Sequence, residues 1–321
     1  MDVEIILPTM NRPKNLRLSL ESLIVNSGYP IKRIIVVDSS VSELSRKVID
    51  IASAIKNKYG IDVKVLHQNP KGLSAAINLG IQHADSDIII KVDDDIVYGK
   101  NWLRKIIDVL IEDKAIGCCF VRVLPMKNDA YSKLYSAVLG MDKGKKKVVV
   151  TPKDISIRTI TRAMREAIKM KLTREKIFKG YVIPPFVGYI VQAFRKKALE
   201  SIGFYDENLG LGTPAGGGEE LDIVYRLLKS GWKVAYVGSS VVYHDCSRQL
   251  GDILKDALES GTSKRALVSK YIRKKDPYML ILGFMIFINL LVEFFLIRPK
   301  NAFLRALKLI KAVELYGFLT G

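Results

Sequence analysis

Apolar runs alternate with apolar residues at helical spacing along residues 3–92. "VEIILP" (3–8) is a continuous apolar run, the pattern of a buried strand. "RPKNLRLSLESLIVNSG" repeats Leu16, Leu20, Leu23 and Ile24 with a helical period and stops at Gly28. "IKRIIVVDSS" (31–40) predicts a second strand ending in Asp38, and "VSELSRKVIDIASAIKNKYG" a helix closed by a glycine. "DVKVLHQ" predicts a third strand, "LSAAINLGIQHA" a short helix and "DIIIKV" a fourth strand. This alternation predicts an α/β domain with a mainly parallel, doubly wound sheet flanked by helices. Ligands of such sheets bind beyond the carboxyl ends of the strands. Asp38 and the triplet Asp93–Asp95 in "KVDDDIVYG" stand at those ends, so the topology gathers them on one edge.

Further on, "NWLRKIIDVLIED" predicts a helix and "IGCCFVRVLP" a strand. The Lys/Arg-rich stretch 142–180 reads as an insertion with one amphipathic helix. Residues 184–248 mix short strands, a Gly-rich loop and a helix, whereas 249–321 differ in kind. The expected division is a domain over 1–248 and a C-terminal helical tail over 249–321. No internal repeat or low-complexity block interrupts it.

Net charge changes the list of partners. The chain has 321 residues and a formal charge of +18, concentrated in 142–180 and again after Arg248. Such an excess attracts nucleotide phosphates, nucleic acid or anionic lipid, or forms a solvated basic face. A nucleic-acid binder should interleave basic residues with exposed aromatics and carry a binding motif. Neither is present, so no nucleic-acid partner is expected. Cys118, Cys119 and Cys246 offer no disulfide framework and no zinc spacing, which suits a reducing compartment. The start, "MDVEIILPTMNRP", has no signal-peptide pattern.

Three adjacent carboxylates repel one another and are expensive to bury without partners. In an extended segment Asp93 and Asp95 would share one face and Asp94 would point away. Two carboxylates on a face suit a hard divalent cation completed by diphosphate oxygens and water. An acidic surface turn is the alternative.

Context bears on that choice. "IILPTMNRPKNLRLSLESL", "IIVVDSS", "NPKGLSAAINLGIQHADSDIIIKVDDD" and "GTPAGGGEELDIVYRLLKSGWKVAYVGSSVVYH" follow one another in this order. From residue 3 to about 248 the chain thereby resembles the inverting family-2 glycosyltransferases, whose fold is GT-A (Rossmann-like). The resemblance implies roles residue by residue. Pro8, Thr9 and Arg12 would form the loop around a nucleotide. Asp38 would accept from a base N–H, which suits a UDP- or dTDP-sugar; a turn or capping role is the alternative. Lys71, Gly72 and Asn78 would shape or contact the nucleotide side, with Asn78 also open to a structural role. Asp93 would lie near ribose and metal, with Asp94 beside it. Asp95 would bind the metal, Mn2+ or Mg2+, and His244 would reach it from the other side. Glu220 would take the proton of the acceptor hydroxyl, and Glu219, Gly217 and Gly218 would line the acceptor side. The alternative for Glu219 and Glu220 is complementation of a helix N-terminus. Asp222 and Arg226 stand at i, i+4, as an intrahelical ion pair does.

The implied activity is metal-dependent sugar transfer from a nucleotide-diphosphate sugar to a glycan or lipid-linked acceptor, with inversion. A sugar nucleotidyltransferase would need an early glycine-rich phosphate loop, which "LPTMNRPKN" lacks. An inactive scaffold of the same fold would not need Asp93, Asp95 and Glu220 together. In the tail, Tyr278–Ile297 is about long enough to cross a bilayer, although Asn289 and Glu293 oppose it. Residues 301–319 form a basic amphipathic helix with Phe303, Leu304, Leu307, Ile310 and Val313 on one face. An interfacial helical hairpin fits first, a span second and a homodimer interface third. The expected location is the cytoplasmic face of the cell membrane.

Overall fold

The computed structural model describes residues 1–69, 72–127, 129–130, 132, 144–156, 190–246, 249–296 and 302–320, without the side chains of 289, 292, 293, 296 and 302–304. Strands β1 (Val3–Thr9), β2 (Arg33–Asp38), β3 (Asp62–His67) and β4 (Ile88–Lys91) alternate with α1 (Pro13–Val25), α2 (Ser42–Tyr59) and α3 (Leu73–Gln82). Then come β5 (Ile96–Tyr98), α4 (Trp102–Glu112), β6 (Ile116–Pro125) and β7 (Lys147–Val150). β8 (Gln192–Arg195), α5 (Lys196–Ile202), α6 (Glu219–Lys229) and β9 (Lys233–His244) follow. Helices α7 (Leu250–Arg273), α8 (Pro277–Leu296) and α9 (Ala302–Thr320) end the chain.

The described strands form one sheet in the order β3-β2-β1-β4-β8-β6-β9-β5, with β7 added on β9. The half β3-β2-β1-β4 is parallel, as the alternating pattern predicts. The other half is mixed, which corrects the mainly parallel expectation. β8 runs antiparallel to β4 and β6, while β5 and β7 run antiparallel to β9. The difference arises where the βα alternation stops: β4 passes to β5 through the acidic turn, with no crossover helix between them. Residues 147–150, expected in the basic insertion, supply edge strand β7. The amphipathic helix expected in that insertion lies outside the described residues.

β1, β2 and β4 are buried on both faces, which is why they read as unbroken apolar runs. One face packs on Leu16, Leu20 and Leu23 of α1, Val48, Ile51 and Ile55 of α2, and Trp102 of α4. The other packs on α3, α5 and α6, through Ile77, Leu199, Ile223 and Leu227. Full burial of each such aliphatic side chain contributes about 1.5–3 kcal/mol. The parallel register sets Thr9 beside Asp38, so the carboxyl ends of β1 and β2 open on the same edge.

The C-terminal helices share these cores. Leu267, Val268 and Tyr271 of α7, with Tyr278, Met279, Leu282 and Ile286 of α8, join the cluster that holds α6. Leu307, Ile310 and Val313 of α9 turn inward onto the cluster containing α1 and α4. The apolar face expected to lie on a membrane therefore covers protein at these positions; the side chains of Phe303 and Leu304 are outside the description. Between α7 and α9, Glu314 is buried against Lys264 and Lys311, which hold its carboxyl at about 2 against the opposing effect of burial. Leu280, Phe284, Ile288 and Phe295 of α8 stay outward, as do Leu309, Tyr316 and Leu319 of α9. No helix among the described residues is long and apolar enough to cross a membrane.

Candidate active site

The carboxyl end of β1 brings Thr9 to the acidic turn, and its hydroxyl donates to Asp94 Oδ2 at 2.7 Å. Arg12, half exposed, donates Nη1 to Asp94 Oδ1 at 3.3 Å and to Asp95 Oδ2 at 3.1 Å. Antiparallel pairing of β5 with β9 sets Ile96 opposite His244 and so carries the histidine to the triplet. His244 Nε2 lies 3.3 Å from Asp95 Oδ1, and its Nδ1 3.4 Å from Cys246 Sγ. Burial alone would lower the imidazole pKa, but Asp95 and Cys246 outweigh it and lift it to about 10. Burial pushes the Asp94 carboxyl up to about 6 despite the Thr9 hydrogen bond and the Arg12 charge.

The alternation expected across the triplet does not occur. Asp94 and Asp95 form a turn instead of an extended pair, so both face Arg12. Asp93 turns the other way, with Oδ1 2.7 Å from Lys91 Nζ. Asp93 therefore does not converge with Asp95 and His244 as the sequence reading expected of a metal ligand. Among the described residues no three His, Cys, Asp or Glu side chains converge on one point. With its imidazole raised to about 10, His244 carries a proton on Nε2 toward Asp95, so the pair would offer one oxygen and one nitrogen donor once a cation displaces that proton. That set fits a divalent cation whose other ligands are diphosphate oxygens and water. Both Asp95 oxygens already meet cationic groups, Oδ2 facing Arg12 and Oδ1 facing His244, so a metal ion would take the place of one of them.

Glu220 stands in the first turn of α6. The helix follows Gly218, which is left-handed at φ +90°, and a Cβ there would stand 3.2 Å from the Ser263 carbonyl of α7. Conformation and close approach both call for glycine. Glu220 Oε1 lies 3.4 Å from Lys91 Nζ, and its side chain keeps 27% exposure. Burial raises its carboxyl to about 8; Lys91 opposes the rise, while Glu219 and Asp93 add to it. Glu219 is buried beside Gly210 and Gly217, and burial raises its carboxyl too. Its Oε2 has no hydrogen-bond partner among the described residues.

Other expected residues serve the frame. Pro8 is buried within β1. Asp38 is enclosed: Oδ1 accepts from the Ser40 N–H at 3.0 Å and Oδ2 from the Ser45 hydroxyl, so its carboxylate shapes the turn after β2. Asn78 makes the structural contacts that were its alternative. Its Nδ2 donates to the Tyr205 carbonyl at 3.0 Å and to Glu207 at 2.9 Å, and its Oδ1 accepts from the Tyr205 N–H at 3.0 Å. Gly72 packs on the acceptor-side loop, where the Leu73 N–H donates to the Leu211 carbonyl at 2.9 Å. Lys71 lies outside the described residues.

Lys91 escaped the sequence reading, and so did the contacts of Asp222 with α7. Lys91 looked like the polar end of a strand, yet its side chain is only 2% exposed and bridges Asp93 and Glu220. Asp222 pairs with Arg226 at 2.7 Å, as its spacing predicts, but also binds Lys270 and Tyr271 of α7. A lone charge inside "DIIIKV", just ahead of three carboxylates, was the available signal for Lys91.

Known proteins place the chain in a family. Residues 4–202 match the family described as Glycosyl transferase family 2. The chain belongs to that family. It is 24% identical over 285 residues to the pre-mycofactocin glycosyltransferase of Mycobacterium tuberculosis (strain CDC 1551 / Oshkosh), covering 87% of this chain and 50% of the relative. It is 24% identical over 293 residues to chondroitin synthase of Pasteurella multocida (strain Pm70), covering 86% and 28%. The chain thus spans half or less of the length of these curated relatives. In fold it is similar to the mannosyltransferase PcManGT from Pyrobaculum calidifontis, solved in complex with GDP-Man and Mn2+. The TM-score is 0.56 at 16% identity, over 99% of this chain and 75% of that one. The α/β domain of this family 2 glycosyltransferase accordingly has GT-A-like neighbours.

Proposed function

We propose that this family 2 glycosyltransferase uses a divalent cation to transfer a sugar from a nucleotide-diphosphate sugar to a hydroxyl acceptor, with inversion. The observation that carries this is the pairing of Asp95 with His244 at 3.3 Å, beside Arg12 and across the site from Glu220. Asp95 and His244 would hold Mn2+ or Mg2+, and Arg12 would lie by the anionic diphosphate. The bound cation would stabilise charge on the leaving diphosphate. Glu220 takes the acceptor proton as the hydroxyl oxygen bonds to the anomeric carbon. The bond from that carbon to the phosphate oxygen breaks, and its electron pair leaves with the diphosphate. A carboxyl raised toward neutral pH is matched to this proton transfer. Glu219 Oε2, buried and available, suits a hydrogen bond from the acceptor.

The acceptor proposed is a glycan or lipid-linked saccharide at the cytoplasmic membrane face. The exposed Leu280, Phe284, Ile288 and Phe295 of α8 and the charge of +18 support contact with an anionic lipid surface. Screening nucleotide sugars for thermal stabilisation, with and without Mn2+, tests the donor side; a UDP- or dTDP-sugar comes first. A rise in Tm that needs Mn2+ is expected. Stabilisation by none of the UDP-, dTDP- or GDP-sugars would reject the proposal.

A further inference from the structure

Ile88, Ile89 and Ile90 are buried and apolar, and Lys91 continues the same strand at an equally buried position. Nothing in the packing of the sheet calls for a charge there. The backbone is pinned on both sides, by Ile6 of β1 and by Gln192 of β8. Below the site the Tyr205 hydroxyl donates to Gln192 Oε1 at 2.6 Å, and Gln192 is fully buried. Among the described residues, the ion-pair partners of the ammonium lie at the strand's end. It sits 2.7 Å from Asp93 Oδ1 and 3.4 Å from Glu220 Oε1. Burial would strip its proton, but Asp93 and Glu220 outweigh that and hold it well above the usual lysine range. An ammonium taken out of water at such expense is retained only where its partners need it.

We propose that Lys91 is the positioning residue of this site, joining the donor-side carboxylate Asp93 to the acceptor-side base Glu220 and fixing both. The proposal rests on the assignment of Glu220 as base. With Oε1 drawn to Lys91, Glu220 keeps Oε2 for the acceptor hydroxyl. The link also sets the distance between the end of β4 and the first turn of α6, two elements that meet here and are far apart in sequence. When Glu220 receives the acceptor proton its charge is lost, and Asp93 keeps the ammonium paired.

The test uses the full chain and release of nucleoside diphosphate from UDP-, dTDP- and GDP-sugars with Mn2+, alongside calorimetric binding of the free nucleoside diphosphate. Glu220→Gln should lower turnover by about 10²–10⁴-fold and keep binding. Lys91→Met should lower kcat by about 10²-fold, the loss that a small misplacement of a reacting group causes, and weaken nucleoside-diphosphate binding by less than about tenfold. Lys91→Arg, which keeps the charge, should recover at least about tenfold of that loss. In the Glu220→Gln background Lys91→Met should cause no further loss, because the two act as a unit. Retained turnover in Glu220→Gln would overturn the base assignment and the proposal with it. Lost turnover in Glu220→Gln with normal kcat in Lys91→Met would overturn the Lys91 proposal alone. Parallel losses of kcat, binding and Tm in Lys91→Met, unrelieved by arginine, would make Lys91 a folding residue and also overturn it. If Lys91→Met does not fold, Lys91→Arg decides: kcat within about tenfold of wild type supports the proposal, and a loss equal to that of Glu220→Gln overturns it.

Discussion

The Tyr271 hydroxyl donates to Asp222 Oδ1 at 2.8 Å, tying the helix that carries Glu220 to the C-terminal helices. Lys270 and Arg226 converge on the same carboxylate, which is wholly buried. α7 therefore braces α6, and Ser263 and Leu267 back the glycines that lead into it. Removing the carboxylate leaves Lys270 and Arg226 without their shared partner. Asp222→Ala should lower the unfolding free energy by about 3–5 kcal/mol, the range for breaking a buried pair. Asp222→Asn can still accept from Tyr271 and should lose less. Urea unfolding midpoints of the two variants check this, and equal losses would show that the acceptor for Tyr271 adds nothing beyond the lost charge.

Glu220 gives a pH dependence with a definite sign. Burial raises its carboxyl to about 8 in the folded protein, against about 4.3 for an ordinary glutamate. The folded state thus holds this proton more tightly than the unfolded chain. Stability from this group is greatest below the unfolded value and falls as pH rises from there through about 8. Glu220→Gln removes that fall. Melting curves of metal-free protein from pH 5 to pH 9 should show the variant gaining on wild type across that window, with no further gain above it. Turnover should rise with pH over the same window and fall by about 10²–10⁴ in the variant. A Tm difference that ignores pH would remove the carboxyl from the buried cluster.

Much of this was legible from the pattern of residues, for physical reasons. β1, β2 and β4 are buried on both faces and so read as apolar runs, and the helices between them show one apolar side. The triplet was conspicuous as charge at a strand end, whereas Glu220 was reached through the resemblance to the family, at the start of the helix after the Gly-rich loop. The pairing inside the site was not legible. Whether Asp93 faces Asp95 or Lys91 depends on the turn at 94–95, which no period of two describes. Asp38 and Asn78 have the right chemistry for a ligand, yet Asp38 is hydrogen-bonded to Ser40 and Ser45 and Asn78 to Tyr205 and Glu207. The amphipathic pattern of α9 gave its apolar face correctly at Leu307, Ile310 and Val313, but not what covers it.

That cover moves the membrane expectation to α8. Leu280, Phe284, Ile288 and Phe295 stand outward along this helix. Inserting a Phe or Ile of this kind is worth about 1.5–3 kcal/mol when fully buried. Changing Phe284, Ile288 and Phe295 together to Ser should abolish binding to anionic liposomes in high salt, where attraction through Lys and Arg is screened. Wild type should stay bound. Co-sedimentation distinguishes the two, and a wild-type protein that leaves the liposomes in high salt would confine membrane contact to its charge.

The central claim is that Asp95 holds, through a cation, the diphosphate of the donor. Calorimetric titration of UDP, dTDP and GDP into wild type and Asp95→Ala, each with and without Mn2+, tests it most directly. Binding by wild type should require Mn2+, and Asp95→Ala should weaken it by at least about tenfold, or about 1.4 kcal/mol, with no loss of fold. Binding of equal strength in both proteins, or in wild type without Mn2+, would contradict the claim.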